Sequence, residues 1–315
     1  MKKILSFSAL LIIFLLLLPL TVLGQPSVPV NDTVKLEEVT ATKKFKILNT
    51  ETNQISEISY DDYIFGVVAA EMPALYEVEA LKAQAVAAHT FALHRMVTNA
   101  DKDYDITNDF TVDQAFITEA KAREKWGENA DEYIEKIKGA VAGTKNLALT
   151  YNGEIVLSVY HAISSGVTEE CKNVWGGSRP YLVSVDSSGD KLSPNYLSEK
   201  SVTAAELKKA FPDITFKGNE ANYFKNTQKT PSGTVKTVTL CGSEIKGSAI
   251  RKALDLNSAC FDISYNNGTF KFTVYGYGHG VGMSQNGANY MAQQGAEFEE
   301  ILCHYYKGCK IEEIY

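Results

Sequence analysis

Three textures of hydrophobic and polar positions succeed one another along this chain. From Ile4 to Leu23 the residues are apolar except for Ser6, Ser8, Pro19 and Thr21. A polar stretch over 25–45 follows, Pro-containing at first, leading into a strand expected near Phe45–Leu48 and a second over Gln54–Tyr60. Asp61 and Asp62 are placed to cap a helix running through Val67 and Val68, which Pro73 ends because proline lacks a donor and restricts the residue before it. A longer helix is predicted from Tyr76–Glu77 to about Thr98, with Leu81, Ala85, Ala88 and Ala92 on one stripe, widened by Val78, Val86 and Leu93. So many alanines imply close approach to another element.

Residues 99–145 mix polar loop and helix, "REKWGENADEYIEKIKGAVAGT" being the clearest helical part. Beyond 146 the texture turns to alternation. "LALTYNGEIVLSVYHA" reads as a hairpin about Asn152–Gly153, "SACFDISYNNGTFKFTVYGYG" as another about Asn267–Gly268, and "TVKTVTL" as a strand. Helices return over about 284–294 and 297–306. The expected class is α+β, a mixed fold with a helical part and a β-rich part flanking a substrate groove.

Composition narrows the function. The 315 residues, 45% hydrophobic and 22% charged, suit a folded chain with a sizeable core. A net charge of −7 with no basic run argues against a nucleic-acid partner. Lys2–Lys3 before the apolar run hold its start in the cytoplasm. Residues 1–24 are thus either an uncleaved membrane anchor, which the length of the run over 4–23 favours, or a secretory signal cut before Gln25. Both readings put the rest of the chain, a 25–44 linker and a 45–315 domain, outside the cytoplasm. In that compartment Cys303/Cys309 and Cys241/Cys260 are the sequence-local disulfide candidates, with Cys171 left over. No standard zinc spacing occurs.

Three segments are candidates for chemistry. Glu71 lies among Val67, Val68, Ala69, Ala70 and Met72, in the last turn of its helix, where the macrodipole disfavours an anion. A glutamate is usually a solvated surface group. Here its apolar neighbours would desolvate it, raising its pKa toward that of a general acid. The second segment, "GYGHGVGMSQNGA", surrounds His279 with glycines and leads into Ser284–Gln285; it matches neither phosphate-binding fingerprint. The third, "YHAISSGVTEECKNVWGG", ends a strand at His161 and carries Ser165 in the loop beyond. With no G-x-S-x-G and no H-E-x-x-H, a serine triad or a zinc protease is disfavoured. His94 and His304, on helical stretches, read as ordinary packing or surface residues.

Taken together, "YDDYIFGVVAAEMP", "EALKAQAVAAHTFAL", "NGEIVLSVYHAISSGVTEECKNVWGG…PYLVSVDS" and "GYGHGVGMSQNGANYMAQQG" resemble the stage II sporulation protein D family of peptidoglycan lytic transglycosylases, which also includes the amidase-enhancer proteins. The resemblance implies that Glu71 is the catalytic acid. It implies that Gln84, His89, Ser165, His279, Ser284 and Gln285 line the groove and hold sugar hydroxyls and N-acetyl groups. It implies glycan strands already stripped of stem peptides as substrate, engulfment of the forespore as the setting, and a partner amidase and a membrane scaffold as partners. The family commonly has arginine after "QAVAA" where this chain has His89, a cation only when protonated, which implies a more pH-sensitive activity. Some members hold zinc in the segment matching "ITNDFTVDQAF"; with Thr107 and Asp113 where thiolates would stand, no metal and no cofactor are expected, a His161/Cys171 pair being the remote alternative. A non-enzymatic, glycan-binding enhancer of an amidase is the rival reading.

Overall fold

The computed structural model describes residues 34–35 and 44–314. The apolar run over 4–23 and nearly all of the 25–44 linker lie outside them. Among the described residues no helix is long and apolar enough to cross a membrane.

The elements run β1 (Val34–Lys35), β2 (Lys44–Asn49), β3 (Gln54–Ser59), α1 (Tyr60–Glu71), α2 (Val78–Thr98), β4 (Ile106–Thr107), α3 (Glu119–Trp126), α4 (Ala130–Ala142), β5 (Leu147–Tyr151), β6 (Glu154–Ile155), β7 (Tyr160–His161) and α5 (Cys171–Trp175). The second half continues with β8 (Leu197–Thr203), α6 (Ala204–Ala210), β9 (Phe224–Lys229), β10 (Val235–Leu240), β11 (Ser243–Lys246), α7 (Gly247–Ala253), β12 (Phe261–Asn266), β13 (Thr269–Tyr275), β14 (Met283–Ser284), α8 (Gln285–Gln293), α9 (Phe298–Tyr305) and β15 (Lys310–Glu313). The class is α+β, as expected.

Two cores divide the work. The larger surrounds α2, whose Ala80, Ala83, Ala85, Ala87, Ala88 and Ala92 are all buried, so the helix is covered on nearly every side rather than along one stripe. Alanine loses no rotamer freedom on burial and keeps the backbone helical, which lets α1, α4, α8, α9 and β5 pack directly onto it. Val78, placed on the stripe from sequence, is instead exposed at the helix start. The second core lies between two small antiparallel sheets, ordered β12-β13-β8 and β11-β10-β9, and is filled by Phe261, Phe270, Phe272, Val238, Leu240 and Ile250. The alternating burial of β13 delivers Phe270, Phe272 and Val274 to one face. Its hairpin with β12 closes at Asn267–Gly268, both with positive φ.

Several local expectations change. The cap of α1 is Ser59, whose hydroxyl accepts from the Asp62 amide, while Asp61 and Asp62 occupy the first turn, where the dipole favours them. The hairpin at Asn152–Gly153 is short, because its second arm leaves the sheet after Ile155. Tyr160–His161 then pairs in parallel with Met283–Ser284, a long-range contact that no local alternation announces. All five cysteines are free thiols, which corrects both disulfide candidates. Cys303 Sγ faces the Cys309 carbonyl at 3.9 Å while the Cys309 side chain is buried in the larger core, and Cys260 Sγ donates to the Gly233 carbonyl at 3.2 Å.

Candidate functional site

Glu71 is the last residue of α1, because Met72 turns extended (φ −117°, ψ 145°) ahead of Pro73. Two distant segments meet its carboxylate. The Ala115 amide donates to Oε1 at 3.0 Å, and Gln285 Nε2, on the first residue of α8, approaches Oε2 at 3.4 Å. Gly66, one turn back on α1, lets the first of these in. A Cβ there would lie 2.2 Å from Phe116 and 2.4 Å from the Ile117 carbonyl, and the Gly66 carbonyl accepts from the Ile117 amide. Gln285 Nε2 also approaches Gln84 Oε1 at 3.4 Å, so three side chains form a row. Gln84 Nε2, at the inner end, is buried with no partner among the described residues.

Burial raises the Glu71 pKa above the usual carboxylate range, opposed by the Ala115 amide, by Gln285 and by the Lys125 ammonium. The groups that perturb it are an amide, a carboxamide and an ammonium; no carboxylate is among them. Beside it, Tyr63 donates to Gln114 Oε1 at 3.1 Å, and Gln114 Nε2 donates to the Tyr160 hydroxyl at 2.8 Å. Burial holds both phenols well above their ordinary pKa, with the Glu71 charge adding to it, so both stay protonated.

The placement of Gln285 depends on a buried carboxylate that sequence reasoning missed. Asp190, fully enclosed, accepts from the Ser164 amide (2.9 Å) and hydroxyl (2.5 Å), from the hydroxyls of Ser187 (2.9 Å) and Ser284 (2.8 Å), and from Asn286 Nδ2 (3.2 Å). The Ser284 hydroxyl in turn caps α8 by accepting from the Gly287 amide. Ser284 is therefore buried beneath the site and orients Gln285; it does not reach the groove surface.

Ser165 and His279 lie in a cavity of about 470 Å³ between the two cores, lined also by Glu169, Trp175, Thr230, Cys260 and Arg251. Ser165 Oγ donates across it to the Ser232 carbonyl at 2.7 Å. The His279 ring lies 5.0 Å from Trp175 and 5.6 Å from His161. Its Nδ1 accepts from the Val281 amide, and the ring also bonds the Tyr160 backbone. Tyr160 thus joins the two regions, its hydroxyl on the Glu71 side and its backbone on the His279 side.

His89 is not in the groove. It is fully buried in α2, edge-on to Tyr60 at 4.5 Å, with Nδ1 against the Leu147 carbonyl at 2.8 Å. Burial lowers its pKa to about 4, so it is neutral at physiological pH and carries no charge to steady a substrate. The same cause takes His161 down to about 4 and His279 well below its ordinary value. A folded-state pKa below the unfolded value gives stability that is complete above about pH 6.5 and lost as the pH falls toward 4. For His89 alone this amounts to about 3 kcal/mol at the acid end. We therefore expect the thermal unfolding temperature, followed by circular dichroism, to fall steeply between pH 6.5 and 4, and replacement of His89 by glutamine to flatten part of that slope.

The Thr107–Asp113 region holds an ion-pair network. Arg95 Nε donates to Asp113 Oδ1 at 2.6 Å, and the Thr107 amide and hydroxyl donate to Oδ2 at 2.8 and 2.7 Å. With its carboxylate so engaged, this segment offers no ligand set. Among the described residues no three His, Cys, Asp or Glu side chains converge as metal ligands would.

A carboxyl at a helix end, met by a backbone amide and by Gln285 and with its pKa raised by burial, is a group suited to acid catalysis. Residues 48–151, which include Glu71, Gln84 and Ala115, match the family model described as Stage II sporulation protein. The chain is 38% identical over 270 residues to the Stage II sporulation protein D of Bacillus subtilis (strain 168), spanning 85% of this chain and 78% of that protein. It is 37% identical, with the same coverage, to that of Bacillus amyloliquefaciens. It is also 27% identical over 297 residues to the Amidase enhancer of Bacillus subtilis (strain 168), spanning 77% of this chain and 39% of that protein. This chain belongs to the stage II sporulation protein D family.

Proposed function

We propose that the Glu71 site cleaves peptidoglycan glycan strands as a lytic transglycosylase. The observation that carries this reading is a carboxyl at a helix end whose hydrogen-bond partners among the described residues are the Ala115 amide and Gln285, neither of them a carboxylate, with burial raising its pKa. Ordinary glycosidases use two carboxylates, the second to activate water or to attack the sugar. Lytic cleavage dispenses with the second, because the nucleophile belongs to the substrate. Glu71 gives its proton to the glycosidic oxygen as the bond from C1 of N-acetylmuramic acid breaks. The resulting carboxylate then takes the proton of the muramoyl 6-hydroxyl while that oxygen closes onto C1, leaving a 1,6-anhydro ring and a reprotonated Glu71. No water is consumed.

The two oxygens of Glu71 are unequal. Oε1 is tied to the Ala115 amide, and Oε2 has only the longer contact with Gln285, so Oε2 is the oxygen that carries the transferred proton. The same two donors stabilise the carboxylate between the steps. The chain would act outside the cytoplasm, held at the membrane through residues 4–23, on peptide-free strands during engulfment, beside an amidase that strips the strands and a membrane scaffold.

The 27% identical Amidase enhancer of Bacillus subtilis favours one second reading: glycan binding that stimulates an amidase without cleavage. Incubating the full chain with peptide-free glycan strands and weighing the products decides between them. We expect 1,6-anhydro ends, at a rate that falls as the pH rises through the elevated pKa of Glu71. Reducing ends, about 18 Da heavier by one water, would identify a hydrolase with a two-carboxylate mechanism. Amidase stimulation with no new ends would establish the enhancer.

A further inference from the structure

Arg251 has surroundings that set it apart from the surface cations of the chain. It sits in the last turn of α7 with 7% of its surface exposed, and burial lowers its pKa to about 10. A buried guanidinium is costly unless carboxylates or several acceptors compensate it. Among the described residues Arg251 forms no ion pair, and its one side-chain hydrogen bond runs from Nε to the Leu256 carbonyl at 3.3 Å. Tyr277 and Asp255 act on it electrostatically, Asp255 from beyond ion-pair contact and itself paired loosely with Lys200 at 3.8 Å. Most of a five-donor fork is therefore unspent, and Arg251 lines the 470 Å³ cavity between the two cores.

The rest of that cavity points the same way. Lys236, Lys246 and Lys172, the last paired with Glu170, also line it, so three cations without an ion pair among the described residues stand beside one lining carboxylate in a chain whose net charge is −7. Neither Lys236 nor Lys246 is in an ion pair among the described residues. The one carboxylate, Glu169, is buried and already accepts from Ser232 Oγ, from Thr230 Oγ1 at 2.6 Å, from Asn173 Nδ2 at 2.8 Å and from the Glu170 amide at 2.9 Å. Trp175 contributes a half-buried indole beside His279, a surface on which the face of a sugar ring can lie.

We propose that this cavity is a subsite for a carboxylate-bearing sugar, with Arg251 as the residue that receives the carboxylate and Trp175 as the platform beneath the ring. The two lysines of β10 and β11, Lys236 and Lys246, draw the anion in, and the planar guanidinium fixes it by paired N–H···O bonds. No reaction takes place there. The subsite lies across Tyr160 from Glu71 and acts on affinity and on which sugar of a strand is seated.

The proposal rests on the glycan reading for its ligand, and binding separates the two. The probes are N-acetylmuramic acid, its methyl ester, which keeps every atom of the ring but loses the charge, and inorganic phosphate, each titrated into the full chain while Trp175 is followed by NMR. Replacement of a charge-assisted pair by a neutral group costs about tenfold to a hundredfold in affinity, so the acid is expected to bind at least tenfold more tightly than the ester. In Arg251→Met that ratio is expected to collapse to about one while the ester still binds. Equal affinity of acid and ester for the unaltered chain would overturn the proposal whether or not the variant folds. So would phosphate binding as tightly as the acid, since that marks a general anion site. Preference for the acid in a chain that leaves strands uncut would sustain the subsite and remove the transglycosylase reading.

Discussion

Glu71→Gln is expected to lower the release of anhydro products by about 10²- to 10⁴-fold, the range that a positioned general acid contributes, while leaving the protein as stable as before or more so. The second half of that expectation separates a catalytic carboxyl from a structural one. A carboxyl whose folded-state pKa is raised favours the folded protein when protonated. Its contribution is present at pH values below its unfolded pKa and lost as the pH rises through the folded one. At neutral pH the ionised group is therefore a burden, and the amide removes it. The surroundings can also accept the amide. In the parent protein Gln285 gives its N–H groups toward Glu71 and toward Gln84 Oε1, and leaves Gln84 Nε2 without a partner among the described residues. Rotating the carboxamides of Gln285 and Gln84 reverses the row: the introduced amide donates to Gln285 Oε1, which accepts from Gln84 Nε2 as well. Differential scanning calorimetry at pH 7 and product mass on peptide-free strands check the two halves. A fall in unfolding temperature matching the loss of activity would mean that Glu71 holds the fold together and has no chemical role.

The largest expected change in stability is at Asp190. Asp190→Ala leaves the Ser164 amide, three serine hydroxyls and Asn286 Nδ2 without their common acceptor in a fully enclosed place. Each stranded donor costs about 1–3 kcal/mol, and water entering the space left by the carboxylate offsets part of it, so a net loss of about 3–5 kcal/mol is expected in chemical denaturation. Asp190→Asn keeps one acceptor oxygen and the volume and should lose less. The effect on the site is specific, because Asp190 orients Ser284, whose hydroxyl caps the helix that begins with Gln285. In Asp190→Asn, glycan cleavage should fall further than the unfolding temperature explains, and the pH limb that reports Glu71 should shift upward as Gln285 loses its hold on Oε2. A variant with altered stability but an unmoved pH limb would reduce Asp190 to a fold-stabilising role.

How far the sequence disclosed this arrangement can be judged from single residues. Glu71 was legible because two local rules coincide on it: a proline two positions on ends the helix, and every neighbour is apolar. The hairpin at Asn267–Gly268 was legible for the same reason, since turn chemistry and alternation agree within a few residues. What was illegible depends on contacts across the chain. The Ala115 amide carries no side-chain signature at all, and only a glycine within α1, Gly66, hints that something must pass close. Asp190 reads as one acid in a polar loop, its donors scattered from Ser164 to Asn286. His89 was misplaced because the family pattern supplies its position in sequence but not its direction, and on a helix buried nearly all round a polar residue can face the core as well as the groove. The cysteines were read by compartment and spacing, and neither says which way a thiol points.

The Glu71–Gln285 contact spans 214 residues, and it is accompanied by the Glu77 amide donating to Asn289 and the Phe298 amide donating to Glu79 Oε2 across 212 and 219 residues. Every one of these bonds waits for the last helices. A chain made from its N-terminus carries Glu71 early, but as an ordinary solvated acid. Only when α8 closes over α2 does Gln285 reach that carboxyl and complete its surroundings. The order of the elements along the gene would therefore act as a safety catch, keeping the acid proposed to cut glycan strands incomplete until α8 is made.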